Sequence, residues 1–290
     1  MKFVIHFVLV FFVFQNNCYS QQSKAELTKK FAITIKSVDD FFDRFNFKEK
    51  TNFRNFLITE FPDNNITREK LLYTLFNAKS KYCSDIDKKD FVNEVIKESY
   101  PQYINYKDTN WYAALNCSVL LNGKPEKLLL VLNVESKIND GFEWSITAAH
   151  SSFLDGSLGE IDATLFSEFK NKNILSDEKK YFLSPISHGI DFTNLDNIFT
   201  NKNHFKNYIS KDIASSELIK LNNLITNSKI KFRQVESISY HLLQIDGWVL
   251  VLNHIENKDY ANGWLVNQLI KTTENEKRIY KQKSLHIKLQ

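Results

Sequence analysis

The dipeptide Asn122-Gly123 stands between two apolar runs and constrains this chain more than any other feature. Before it, Leu115, Cys117, Val119 and Leu121 alternate with Asn116 and Ser118, the period of a half-buried strand. After it, with Lys124-Pro125 extending the connection, Leu128 to Val134 is apolar apart from Asn133, as in a strand covered on both faces. Asn-Gly accepts positive φ at both centres of a tight turn, so the two runs fold back as a hairpin. Beyond Asn139-Asp140-Gly141, the residues Phe142, Trp144, Ile146 and Ala148 alternate with Glu143, Ser145 and Thr147. Three antiparallel strands in a meander follow.

The segment ahead of this sheet has a different period. Phe31, Ile35, Val38, Phe42 and Phe45 recur at intervals of four and three, one apolar helical stripe. Phe53, Phe56, Leu57 and Phe61 predict a shorter helix ending before Pro62. Thr67 is among the cap candidates for a helix carrying Leu71, Leu72, Leu75 and Phe76. Ser84-Asp85-Ile86-Asp87 resembles a capping box with Asp for Glu, and opens a helix that buries Phe91, Val95 and Ile96. Helices followed by a meander make an α+β unit over residues 21–153.

The chain then repeats this order. A breaker-rich, lysine-rich stretch over 154–180 reads as a linker. Within 181–290, Leu195, Ile198, Phe205, Tyr208 and Ile209 belong to helical segments, as do Leu218, Leu221, Leu224 and Ile225. Strands are expected at about 232–243, 248–254 and 264–270, and a last one from Leu285 to Leu289. Leu130-Val131-Leu132-Asn133 is echoed by Leu250-Val251-Leu252-Asn253, and Asp140-Gly141-Phe142 by Asn262-Gly263-Trp264. The expectation is two similar α+β domains, the second a repeat of the first, each with N-terminal helices and a curved antiparallel sheet.

Asn110-Trp111-Tyr112-Ala113, the segment Gly141-Phe142-Glu143-Trp144-Ser145-Ile146 and the run from Leu183 to Phe192 carry a resemblance. They are similar to uncharacterised exported proteins of Bacteroidota built as tandem NTF2-like (SnoaL-like, cystatin-like) α+β cones. Those families include isomerases, dehydratases, transport factors and proteins without chemistry. Their enzymes place Asp, His or Tyr inside the cone, and no residue here matches those positions by motif.

The first twenty residues predict export. Met1-Lys2 is basic, Phe3 to Phe14 is apolar apart from His6, and Cys18-Tyr19-Ser20 supplies a small-residue end. That is the plan of a signal peptide over 1–20, too short to span a bilayer. Gln15 and Asn17 flank Cys18 in a context unsuited to lipidation. Nothing later reaches membrane-spanning length. The address is therefore periplasmic or extracellular. There Cys83 and Cys117 could pair as a disulfide or stay as buried thiols.

Charge narrows the partners. Thirty-eight Lys and Arg against 34 Asp and Glu give a net charge of only +4, and the signs are interspersed. With five arginines among them, nucleic-acid binding is disfavoured. Seven scattered glycines form no phosphate-cradling loop, so no nucleotide cofactor is implied.

Candidate chemistry is sparse. Ser187, His188 and Asp191 hold the residue types of a nucleophile, base and orienter, but sequence adjacency is no route to that geometry, and a capping turn suits them better. His150, at a strand end near Asp155, could act as a pocket base or cover an edge. His241 and His254 lie on strands that could pair, yet two histidines make no tetrahedral metal set. Trp111, Tyr112 and Trp248 sit near strand ends, where exposed aromatics could form a ligand platform and buried ones would pack the rim. The leading expectation is a non-catalytic binding or scaffold module for an envelope protein or a small apolar ligand. A cofactor-independent isomerase, dehydratase or hydrolase using His150 or His188 is the alternative.

Overall fold

The computed structural model describes residues 34–48, 52–60, 66–136, 141–155, 183, 192, 195–201, 205–210, 215–256 and 262–288. The signal peptide expected over 1–20, nearly all of the linker expected over 154–180, and Ser187, His188 and Asp191 lie outside them. Among the described residues, four helices precede a meander: α1 (Val38–Phe45), α2 (Asn52–Glu60), α3 (Arg68–Tyr73) and α4 (Asp85–Val95), then β1 (Trp111–Leu121), β2 (Lys124–Ser136) and β3 (Phe142–His150). The second half holds α5 (Leu195–Thr200), a 3-10 turn (Phe205–Tyr208) and α6 (Ser216–Thr226). It continues with β4 (Ile230–Leu242), β5 (Trp248–Ile255), β6 (Gly263–Lys271) and α7 (Glu274–Lys283). The fold is α+β.

Local chemistry starts these helices where the caps predict. The hydroxyls of Thr67 and Ser84 accept from the amides of Lys70 and Asp87, and Ser215 does the same for Leu218 at α6. The first helix is shorter than its apolar stripe. Ser37 caps it by accepting from Asp40 N–H, which leaves Ile35 extended and free to bridge to Gly263. At the far end, Arg68 gathers three carbonyls. It donates to Phe45 at the end of α1, to Val95 at the end of α4, and to Gln102. Helix-end carbonyls that water would otherwise serve are thereby satisfied in the interior.

The turn at Asn122-Gly123 forms as expected, with φ of 50° and 83° and Leu121 facing Lys124 across a two-residue loop. Lys124-Pro125 therefore begins β2 rather than lengthening the loop. The strands do not make two sheets. They form one antiparallel sheet of order β3-β2-β1-β4-β5-β6, in which β1 pairs with β4 from Trp111–Leu242 to Leu121–Ile230. Leu132 faces Ala113 and Ile146, Leu252 faces Tyr240 and Val266, and Ala113 faces Tyr240. The β2–β3 register shifts between Val131 and Leu132, and the β5–β6 register between Val251 and Leu252.

Each outer strand is capped by backbone from outside the sheet, which shields edges that would otherwise template aggregation. Trp144 N–H donates to Leu183 O at 3.0 Å, and Trp264 N–H donates to Ile35 O at 2.9 Å. Ser210 N–H reaches Ile146 O at 2.9 Å, as Asn77 N–H reaches Val266 O at 2.9 Å. Gly263 is obligatory here: its φ is +92°, and a Cβ would lie 1.9 Å from Ile35 O.

One face of the sheet carries a single large core contributed by both halves. An aromatic row crosses it, with ring centroids 4.6 Å apart for Trp144–Trp111, 6.0 Å for Trp111–Tyr240 and 4.8 Å for Tyr240–Trp264. Trp248 packs edge-on to Phe91 at 5.5 Å. The opposite face holds a smaller cluster of Tyr112, Ala114, Val131, Ala148, Leu243, Val249 and Val251 under Leu285 and Ile287. The segment after β6 is helix α7 followed by an irregular tail over 284–288, so these residues do not form the strand expected at Leu285 to Leu289. Thr273 and Glu276 close a capping box there, and it starts a helix whose charged sequence hides its periodicity.

Candidate functional site

The three aromatic candidates are core residues, not a platform. Trp111 and Trp248 are 1% and 0% exposed and Tyr112 is 6% exposed, because the sheet is covered on both faces where they sit. Their indole N–H groups are satisfied inside, Trp111 by Tyr106 O at 3.1 Å and Trp248 by Glu94 Oε2 at 2.6 Å. Burial also raises the Tyr112 hydroxyl pKa to about 12, with Asp108 adding to the effect. Cys83 and Cys117 are free, buried thiols. Burial raises both, Cys117 to about 12, so neither is an activated nucleophile.

His150 stands at the end of β3, where its Nδ1 is 3.9 Å from Asp155 Oδ1. Its ring lies flat on that of His286, centroids 3.9 Å apart and planes 5° from parallel. Its side chain is 41% exposed on the edge strand β3. His241 and His254 do not converge. His241 is 8% exposed, with Nδ1 2.6 Å from the Tyr280 hydroxyl and Nε2 2.9 Å from Ser239 Oγ. Burial pushes its pKa down to about 4, so the ring is neutral near pH 7. His254 is exposed and packs edge-on to Trp264. Among the described residues no three His, Cys, Asp or Glu groups gather as a metal set.

A concave polar feature among the described residues lies elsewhere, at the end of the sheet. A cleft of about 390 Å³ is lined by Asn110, Leu243, Gln244, Asp246, Glu274, Lys277, Arg278 and Lys281. Its floor is the residue before β1 and the β4–β5 connection, joined where Leu243 N–H donates to Asn110 O at 2.8 Å. The helical layer fixes that floor. Asp246 N–H donates to Gln102 Oε1 at 2.7 Å, and Gln244 exchanges two hydrogen bonds with the Asn105 backbone. Gln102 is the residue whose carbonyl Arg68 holds, so the cleft rests on the same cation that closes α1 and α4.

The wall is α7, which lays Lys277, Arg278 and Lys281 along one side. Lys277 is 4% exposed and spent on structure: Nζ donates to Ile245 O at 2.8 Å and pairs with Glu274 at 2.7 Å. Lys281 donates to Asn110 Oδ1 at 3.0 Å and lies over the Tyr112 ring. Its pKa is lowered, by burial first and by Lys277, against the opposing pull of Glu274 and Asp108. Arg278 is exposed at the mouth. Two cations at i and i+3 beside a pair of side-chain amides can grip a carboxylate, the guanidinium bidentately and the ammonium as a point charge. Asp246 and Glu274 limit the net charge, which disfavours indiscriminate anion binding.

Sequence reasoning reached the cleft only at its edges. Asn110 and Gly247 flank two of the aromatic candidates, while α7 was missed. The Thr273-x-x-Glu276 capping box was the signal available for it. Comparison with known proteins finds no matching family model, no matching curated protein and no matching solved structure.

Proposed function

We propose that this protein is an exported, non-catalytic binding module that engages a protein partner at the cleft between α7 and the β4–β5 connection. The observation that carries the reading is where the polar and apolar groups fall. The inner face of the sheet, where a cone-type enzyme would hold acid and base, is filled by Trp111, Trp144, Trp248 and Tyr240. The convergent polar groups lie outside, in an open, charged cleft. A charged lining favours an acidic protein segment over a small apolar ligand.

The architecture proposed with this function is a duplicated unit. The matching register shifts at Val131/Leu132 and Val251/Leu252 support it, as do the backbone clamps on Trp144 and Trp264. The order of helices then meander in each half also supports the NTF2-like resemblance, with two repeats sharing one sheet.

The test is site-specific photo-crosslinking in the envelope of the producing cell, with the crosslinker at Gln244. The expected result is a discrete adduct that is lost in Arg278→Glu and kept in Lys124→Glu, a reversal on the exposed start of β2. An adduct indifferent to Arg278→Glu would remove the cleft from the reading. Turnover of an ester or enolisable substrate that disappears in His150→Gln would favour the enzyme instead.

A further inference from the structure

Beyond the cleft, α7 runs into a tail that crosses the outer face of the sheet, and its anchors are unequal. Leu285 and Ile287 are buried against the cluster containing Val131 and Ala148. Ile287 N–H donates to Lys281 O at 3.0 Å. At the far end Lys288 Nζ reaches Ser216 Oγ at 3.1 Å and Glu217 Oε1 at 2.8 Å, at the start of α6. Between these holds sits His286, at a left-handed φ of 52°, with its ring flat on His150 of β3.

We propose that residues 284–288 form a pH-operated strap whose trigger is the stacked His150–His286 pair. Two neutral imidazoles stack without penalty at this separation. Two imidazolium rings 3.9 Å apart repel, and protonating either one weakens the stack for the other. The charged groups facing the pair are few. On the β3 side Asp155 stands 3.9 Å from His150 and can offset one positive charge, not two. On the strap, Lys288 carries a positive charge already committed to Glu217 of α6. The His286 ring titrates below its ordinary range, through burial first and His150 second, with Asp155 opposing. The sign follows: a histidine held neutral in the closed state stabilises closure fully above about pH 6.5 and loses that contribution as the pH falls. Acidification opens the strap and bares Val131, Ala148 and their apolar neighbours on the outer face.

The experiment is amide hydrogen exchange on the full chain at pH 7.5 and 5.5, corrected for intrinsic rates, read at Ile287 against Leu130 and Leu250 in the sheet. In the native protein, protection at Ile287 falls several-fold at pH 5.5 relative to the sheet amides, in the direction that the lowered His286 pKa sets. His150→Phe keeps a ring for His286 to stack on and removes one titration. His286→Asn tolerates the left-handed backbone and removes the other. His286→Asn abolishes the fall and His150→Phe diminishes it, since burial of His286 remains, and their unaltered Leu130 and Leu250 protection reports that they fold. His241 titrates identically in all three proteins and cancels. Equal Ile287 protection at both pH values in the native chain, or an undiminished fall in His150→Phe, would overturn the proposal.

Discussion

The two halves of the sheet are alike where they face the helices and unlike where they face away. On the inner side, Trp144 and Trp264 are each clamped by a backbone carbonyl from outside the sheet, and the same Leu-Val-Leu-Asn segment carries the register shift in both. On the outer side, α7 follows the second half and its Tyr280 packs against the outer cluster. The buried, hydrogen-bonded His241 of β4 takes the place that Ala114 holds in β1. The inner face is constrained by packing, since one shared core has little room for divergence. The outer face is free to differ, and there the polar cleft and the histidine-stacked strap are found.

Breaking the inner likeness should cost most. Trp144→Ala and Trp264→Ala each remove a large ring from a filled aromatic row, with an expected loss of about 3–5 kcal/mol in denaturant unfolding. Equal costs would support the likeness; a cost confined to one half would refute it. Gly263→Ala follows. The clamp on β6 runs parallel and brings Ile35 O within 1.9 Å of the new Cβ, whereas the clamp on β3 is antiparallel. The expected destabilisation is about 2–4 kcal/mol, against roughly 0.5 kcal/mol for Glu143→Ala. Glu143 is the comparison because the register sets it opposite Glu135 as Gly263 is opposite Ile255, and so matches Gly263 with Glu143 rather than with Gly141 as the sequence echo does.

The outer difference predicts a pH dependence that belongs to the second half. The folded pKa of His241 is depressed to about 4, so its neutral form stabilises the fold fully above the unfolded value near 6.5. That contribution is lost as pH falls from about 6.5 to 4, by about 3 kcal/mol at most. His241→Gln should flatten the urea-midpoint profile over that window. The smallest effect is a matched pair of caps: Ser84→Ala and Ser215→Ala should each cost about 1 kcal/mol, measured by thermal unfolding.

Much of the fold was legible because its signals are local. Alternation fixed the faces of β1 and β3, Asn122-Gly123 fixed the first turn, and serine and threonine marked helix starts. The joining of β1 to β4 was hidden, since pairing Ala113 with Tyr240 depends on contacts no local pattern encodes. The aromatic candidates were readable as core or rim but not decidable, because coverage of the second face depends on α7 and the tail. That helix was concealed by its composition. Lys277 and Lys281 approach the sheet through long stems that lie along apolar surface, so charged residues occupy positions where a periodicity search looks for leucine. The cleft was invisible for the same reason.

The central claim is that recognition belongs to the outer cleft and not to the filled interior. The most direct measurement is a two-dimensional NMR titration of the protein with a short acidic peptide of alternating Glu and Gly. The account predicts shifts at Asn110, Gln244, Arg278 and Lys281 that saturate together and are lost in Arg278→Glu. Shifts spread evenly over the surface lysines, or centred on the inner face around Trp111 and Trp144, would contradict it.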